Sequence, residues 1–193
     1  MLVYFIADAY LKETFSSIVV SDETIEKKVF EECRFDHCSF TNCKMAKCKF
    51  INCRFENSIM SSVTPMNCVF QSPRYIRCKL MGMDWTRSAE LSELDFKECQ
   101  LNYSNFKLVK IPRVKMINCE AKEVDFIETD LSKGDLRQTD FENSRFFKTN
   151  LSSADLRGAK NYCIDIKVNI LKKARFSLPE VMLLLNSLDI SIE

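Results

Sequence analysis

The chain has 193 residues, enough for one domain with a real interior, and 46% of them are apolar. It contains only 3 glycines and 4 prolines, which argues against flexible linkers and against collagen-like or disordered segments. Its 28 basic and 27 acidic side chains leave a net charge of +1, so the composition provides no general attraction to nucleic acid or to an anionic membrane.

The first residues do not resemble a targeting signal. Met1 to Ala7 is a short apolar run without a preceding basic segment, and Asp8 and Glu13 follow at once. No stretch approaches the roughly 20 apolar residues of a membrane-spanning helix. We therefore expect a cytoplasmic protein with no membrane partner and with reduced cysteines, an extracellular disulfide framework being the alternative. Residues 1–12 are expected to form an N-terminal cap.

From residue 13 onward, a large apolar side chain recurs at every fifth position. The first series runs from Phe15 to Trp85 and is broken only by Pro65. A second series starts one residue late, at Leu91, and extends past the polar Asn161. Its last three members are Ile166, Leu171 and Phe176. Because a period of five matches neither a strand nor a helix, the chain must turn a corner every five residues and return each of these side chains to a common interior.

Small side chains occupy the position two residues before each of these central residues. Nine of the 10 cysteines lie there, and only Cys163 does not. The same position holds Ala89 at the slip and Gly134 further on. A small inward residue beside a large one suits a narrow packed tube, and we interpret the cysteines as small buried side chains. Zinc sites prefer C-x2-4-C pairs whose thiolates converge tetrahedrally, whereas successive cysteines of the C-x4-C repeat are expected to lie on different walls of the tube.

Segments 33–37 (CRFDH) and 154–158 (ADLRG) show the unit small-x-Leu/Phe-x-x. On this unit the chain resembles the pentapeptide-repeat family over residues 13–176. The resemblance implies an all-β, right-handed quadrilateral (square) β-helix of about eight coils with a short C-terminal α-helix. We divide it into a first run at 13–85, a one-residue slip or bulge at 86–90 and a second run at 91–176. Columns are expected to join every fourth unit, for example Phe15, Phe35, Phe55 and Tyr75, and separately Phe96, Met116, Leu136 and Leu156.

Two prolines interrupt the repeat. Pro65 occupies a central position and Pro73 a small one. Because proline cannot donate to a β-ladder, we expect residues 62–76 to deform one or two coils. These coils and the slip at 86–90 are either functional bulges or neutral irregularities.

Residues 177–193 change character. Ser177 and Glu180 match a capping box, and the residues that follow predict a short helix that is apolar almost all round. One side can cover the last coil and the other can meet a second copy, so we expect a homodimer through this helix; a cap on a monomer is the alternative. Polar and apolar residues alternate over residues 189–193, which is typical of a terminal strand. The candidate interface residues are Leu178, Val181, Met182, Leu184, Leu185 and Leu188.

No residue pattern indicates catalysis, a cofactor or a metal ion. His37 is the only histidine, at an outward position, and the sequence lacks a Ser/His/Asp set, a P-loop and a dinucleotide fingerprint. We therefore expect a protein that is not an enzyme.

Charge is unevenly distributed along the chain. The charged side chains in residues 37–83 are all basic apart from Glu56. Those in residues 120–142, about one coil, are mainly acidic. These acids would circle the tube as a belt, either as solvated surface or as a recognition patch. The belt residues are Glu120, Glu123, Asp125, Glu128, Asp130, Asp135, Asp140 and Glu142.

Within the family, the two runs, the aromatic segment Met83-Asp84-Trp85 and the apolar C-terminus are similar to the Qnr-type quinolone-resistance proteins. That resemblance implies a dimeric rod that imitates duplex DNA and binds DNA gyrase or topoisomerase IV. A duplex mimic should carry a continuous anionic face, which a net charge of +1 does not supply. Two hypotheses follow: a non-catalytic scaffold that binds a protein partner through its rigid surface, or a DNA mimic that binds a type II topoisomerase. Neither requires direct nucleic-acid binding.

Overall fold

The computed structural model describes residues 4–188 and 190, and in this part of the chain three-residue strands alternate with tight corners. The strands are β1 Ala9–Leu11, β2 Thr14–Ser16, β3 Val19–Ser21, β4 Thr24–Glu26, β5 Val29–Glu31, β6 Arg34–Asp36, β7 Ser39–Thr41, β8 Lys44–Ala46, β9 Lys49–Ile51, β10 Arg54–Glu56, β11 Thr64–Met66, β12 Val69–Gln71, β13 Arg74–Ile76, β14 Glu90–Ser92, β15 Asp95–Lys97 and β16 Lys115–Ile117. Two 3-10 helices, Trp85–Arg87 and Glu180–Ser187, complete the elements. In each strand, the central residue points inward and its neighbours point outward.

All strand pairs are parallel and join successive turns of the chain. The sheet orders are β1-β5-β9-β12-β14, β2-β6-β10-β13-β15-β16, β4-β8-β11 and β3-β7. Partners such as Phe35 and Phe55 are separated by four repeat units, and isolated bridges continue the pattern to Asp155 and Arg175. The fold is therefore an all-β parallel solenoid with one small C-terminal helix. Its handedness, square cross-section and count of eight coils stay predictions.

The corners share one backbone conformation. Every fifth residue from Lys12 to Arg77 and from Glu93 to Ser153 has a φ between 50° and 64°. This left-handed conformation is unfavourable for β-branched side chains, and none occupies these positions, whereas asparagine, which tolerates it well, is frequent. The outward residues thus encode the turns while the inward residues encode the core.

Aromatic side chains fill the N-terminal part of the interior. The rings of Phe35 and Phe55 stack 4.6 Å apart, and Phe5 lies edge-on to Phe15 and Phe30 at 5.4 and 5.3 Å. A gap among these rings measures about 10 Å³, no more than a single water needs. Phe5 thus covers the first coil within the segment expected to be a cap; residues 1–3 of that segment lie outside the described residues.

The slip is absorbed in the 3-10 turn Trp85–Arg87. Before it, the N–H of Ser62 donates to the carbonyl of Met81 in the next coil; after it, the N–H of Asn67 donates to the carbonyl of Arg87. The sequence separation between such partners therefore grows by a single residue across the turn. The extra residue thus lies between Gly82 and Arg87, a range that overlaps the start of the segment 86–90.

The slip does not divide the stack of inward side chains. Tyr75 pairs with Phe96 across it, and their rings stack 5.1 Å apart. The two columns expected to be separate, one ending at Tyr75 and one starting at Phe96, are therefore a single column along β2, β6, β10, β13, β15 and β16.

The prediction that the prolines deform residues 62–76 is wrong. Pro65 pairs in register with Met45, and strands β12 and β13, on either side of Pro73, are regular as well. The reason is that β11 is the edge strand of its sheet and contacts the turn Trp85–Arg87. The missing N–H of Pro65 falls where the ladder is already interrupted.

Two further inward positions were predicted wrongly. Ala89 is exposed, because the 3-10 turn before it changes the phase of the chain. Near the C-terminus, Phe146 pairs with Ile164 instead of Ile166, which is 37% exposed. Tyr162 and Ile164 fill the interior there, because the chain from Lys160 to Ile164 is two residues shorter than the segment it pairs with, Asp140 to Phe146. The repeat count is restored at Ile170, which pairs with Asn150.

The C-terminal helix is a 3-10 helix, not the expected α-helix. The capping box does not form, because the Ser177 hydroxyl accepts the N–H of Gly158 at 2.8 Å and no side chain caps the helix at Pro179. Leu183 and Leu184 pack against the core and cover the last coil. The terminal strand expected at 189–193 lies outside the described residues except for Ile190. Within the described ranges, no helix has the length and apolar character needed to cross a bilayer.

Candidate interaction surfaces

The predicted acidic belt is spread around the solenoid. Pairing places Glu120 with Asp140, whereas Asp125, Asp130 and Asp135 lie on three other ladders. The carboxylates therefore do not line up along one wall, as the phosphates of a duplex groove would.

Four belt carboxylates are paired with basic side chains. The pairs are Asp125–Arg145, Asp135–Arg137 at 2.7 Å, Asp140 with Lys122 and Lys160 at 3.5 and 3.7 Å, and Glu142–Lys122 at 2.7 Å. Burial would raise the pKa of Asp140, but the Asn161 amide, the N–H of Glu142 and the two lysines together lower it below its ordinary value. Much of the belt's negative charge is thus neutralised within the protein.

Several belt aspartates also stabilise the corners. Asp125 accepts the N–H of Ile127 at 2.9 Å, and Asp130 accepts that of Ser132 at 2.9 Å. Asn150, at the equivalent repeat position, accepts the N–H of Ser152. A neutral asparagine can accept the same backbone N–H, so the role of these aspartates in the turns does not require their negative charge.

The predicted dimer residues differ in accessibility. Leu184 packs against the core, so it belongs to the cap of the solenoid. Leu178 and Met182 are 75% and 44% exposed. The other three, Val181, Leu185 and Leu188, are half-buried. The last coil adds exposed apolar side chains at Ile166, Val168 and Ile170, which alternate along the chain with exposed cations such as Lys167.

An arginine ladder was missed by the sequence analysis. Arg34, Arg54 and Arg74 stack in register on β6, β10 and β13. Glu56, which is only 5% exposed, forms ion pairs with Arg34 at 2.7 Å and Arg54 at 2.5 Å. In the sequence, these arginines recur at every fourth repeat unit. The distribution of charge along consecutive residues does not reveal this spacing.

A groove runs beside the arginine ladder. It measures about 530 Å³ and is lined by the three arginines together with Cys33, Asn52 and Ser72. A second groove of about 240 Å³ shares Ser72 and Arg74 and continues it toward Arg113. This corner is an elongated, solvent-open channel with guanidinium groups along one side.

The inward cysteines are part of the packed core. Nine are buried free thiols, and each donates to backbone carbonyls, as Cys53 does to Phe30 at 3.2 Å. Burial raises the pKa of Cys53 to about 12, so its thiol stays protonated at neutral pH. Within the described residues, no group of three or more His, Cys, Asp or Glu side chains is arranged to hold a metal ion.

A parallel solenoid with one large and one small inward residue in every five defines a class of repeat proteins. Family models agree: that of the pentapeptide repeat region matches residues 28–106, and that of pentapeptide repeats in eight copies matches residues 125–160. The chain belongs to the pentapeptide-repeat family.

Solved structures show the same fold. A trypsin-treated, singly substituted form of QnrB1, a plasmid-mediated fluoroquinolone resistance protein, is 16% identical with a TM-score of 0.76, covering 97% of this chain and 100% of that chain. A second trypsin-treated variant of QnrB1 is 16% identical with a TM-score of 0.56, covering 94% and 100%. A comparison with curated protein sequences gives no match.

Proposed function

We propose that this protein is a non-catalytic cytoplasmic scaffold that binds a protein partner through its rigid surface. The observation that carries the proposal is the register of the outward residues. Side chains on successive coils, such as Arg34 and Arg54, are held in straight columns by a filled interior. A partner that recognises several columns meets an already ordered surface, so binding costs little conformational entropy.

Cross-linking in the source cells tests this function. A partner should cross-link reproducibly to outward lysines of successive coils, such as Lys44, Lys49 and Lys79. The purified partner should then bind the purified protein, and substitutions at outward positions of the contact should weaken binding without changing the melting temperature. Absence of any reproducible partner, or an affinity that no outward substitution changes, would contradict the scaffold.

A type II topoisomerase is the second candidate partner. It is favoured by the shape of the molecule, a parallel solenoid with the fold of a fluoroquinolone resistance protein. It is disfavoured by the pairing of the belt carboxylates, although Glu123 and Glu128 are exposed. Gyrase supercoiling and quinolone-induced cleavage should respond to micromolar wild-type protein, and less to the Glu123→Gln, Glu128→Gln variant. No response to wild type would exclude this candidate.

We further infer a homodimer with the apolar C-terminal end as its interface. The support is the exposure of Leu178 and Met182 beside the exposed isoleucines of the last coil. Large exposed apolar patches on soluble proteins commonly mark interaction sites, and two-fold pairing is the commonest arrangement. The assembly would then be a longer rod of two solenoids.

A further inference from the structure

We propose that the groove beside the arginine ladder binds an acidic, extended segment of a partner protein. This inference rests on the proposed scaffold function and specifies the chemistry of the partner. The segment would lie along the solenoid axis, with its carboxylates on Arg34, Arg54 and Arg74 and its other edge toward Asn52.

The ladder has more positive charge than the protein itself compensates. Like charges on directly opposed residues of neighbouring strands are destabilising. Glu56 pairs with both Arg34 and Arg54, and Asp36 lies 3.8 Å from Arg34, so two carboxylates face three guanidinium groups. The side chains of Arg34 and Arg54 remain 51% and 50% exposed. Arg74 is exposed and forms no ion pair within the described ranges, although Asp95 lies opposite it on β15. Each guanidinium carries five N–H donors, so donors remain for carboxylates that arrive from outside.

The length of the ladder determines what fits. Neighbouring strands lie about 4.8 Å apart, so three arginines span about 10 Å. Alternate side chains of an extended peptide are about 6.6 Å apart, so two carboxylates on one face fit within this span. Glu32 bounds the groove at one end, and Glu93 and Asp95 lie beyond Arg74 at the other. A duplex would place its many phosphates against these acids, which favours a short acidic peptide over nucleic acid.

A labelled peptide tests the groove with the full-length protein. The probe is a fluorescent peptide of about eight residues that alternates Glu and Ser, and its neutral counterpart alternates Gln and Ser. We expect the Glu peptide alone to bind, and added salt to weaken it. Arg74→Ser should weaken binding by at least about tenfold, because a charge-assisted contact is lost. Lys110→Ser is the matched control, since Lys110 is an exposed cation at the same repeat position on another sheet.

Several results would overturn the inference. Equal binding of the Glu and Gln peptides, or equal affinities of the Arg74 and Lys110 variants, would show that the ladder is not the site. Displacement of the peptide by a short DNA duplex, with duplex binding that depends on Arg74, would indicate a nucleic-acid site. Displacement by inorganic phosphate at equal concentration would indicate a simple anion site. If a cross-linked partner still binds the Arg74 variant normally, the groove proposal fails while the scaffold function stands.

Discussion

The rings of Phe35 and Phe55 lie 4.6 Å apart with planes only 6° from parallel, one coil above the other. They belong to an inward column that continues to Tyr75 and, across the slip, to Phe96. Each ring contacts the coils on both sides, so each coil is stabilised mainly by its contacts with the two neighbouring coils.

Phe55→Ala should therefore strongly reduce the free energy of unfolding. Phe55 has no exposed surface, and truncation of a buried phenylalanine costs about 3–5 kcal/mol. Urea unfolding followed by circular dichroism measures the loss. The control is Val19→Ala, because Val19 is 62% exposed and its loss should change stability by less than about 0.5 kcal/mol. Similar losses in the two variants would contradict the aromatic column as the main stabilising feature.

A buried hydroxyl at the small inward position links three segments. Thr139 is fully buried; its Oγ1 donates to the carbonyl of Met116 at 2.7 Å and accepts the N–H of Cys119 at 3.3 Å. Thr139→Val keeps the shape but leaves both groups without this partner, so we expect a loss of about 1–3 kcal/mol. Thr14→Val, at an exposed outward threonine, should be nearly neutral in the same assay. A neutral Thr139→Val would show that these backbone groups are satisfied without the hydroxyl.

Stability should fall on acidification. The hydrogen bond from Arg157, together with the N–H of Arg157 and the charge of Arg175, lowers the pKa of Asp155 in the folded protein despite its burial. The unfolded chain then binds the proton more tightly, so this contribution is present above about pH 4 and is lost as pH falls through the lowered folded pKa.

Asp155→Asn isolates this effect, because asparagine serves at the equivalent position 150. Melting temperatures measured from neutral to acidic pH should fall less steeply for this variant than for wild type, so that the two approach each other in acid. Parallel curves would show that Asp155 does not contribute to the acid sensitivity.

The oligomeric state should depend on the exposed face of the C-terminal end. Light scattering should give a dimer mass for wild type and a monomer mass for the double variant Leu178→Asp, Met182→Asp, because buried unpaired carboxylates oppose association. Leu108→Asp is the control: Leu108 is 62% exposed on the body of the solenoid, and the dimer should persist. Leu184 is unsuitable as a probe, since it packs against the core. A monomeric wild type would refute the dimer.

The positions of strands and corners could be predicted from the sequence wherever the five-residue period is unbroken. Phe35 and Phe55 were assigned to one column because nothing between them disturbs the count. The predictions failed where the number of residues between successive inward positions changes or where a proline interrupts the repeat. The deformation expected at Pro65 did not occur because that strand is an edge strand. Ile164 replaced Ile166 because the segment after Lys160 is two residues short before the count is restored at Ile170.

By itself, the sequence determined that this protein is a solenoid with a common interior, because each unit carries its own large residue, small residue and corner residue. Only the tertiary structure decided which outward charges meet. Arg34, Arg54 and Arg74 are far apart along the chain and adjacent in space, while the acids of the belt separate onto different walls and pair with nearby cations. The physical reason is that a five-residue period specifies the inside of every coil, whereas the surface depends on the longer turn that stacks one coil on the next.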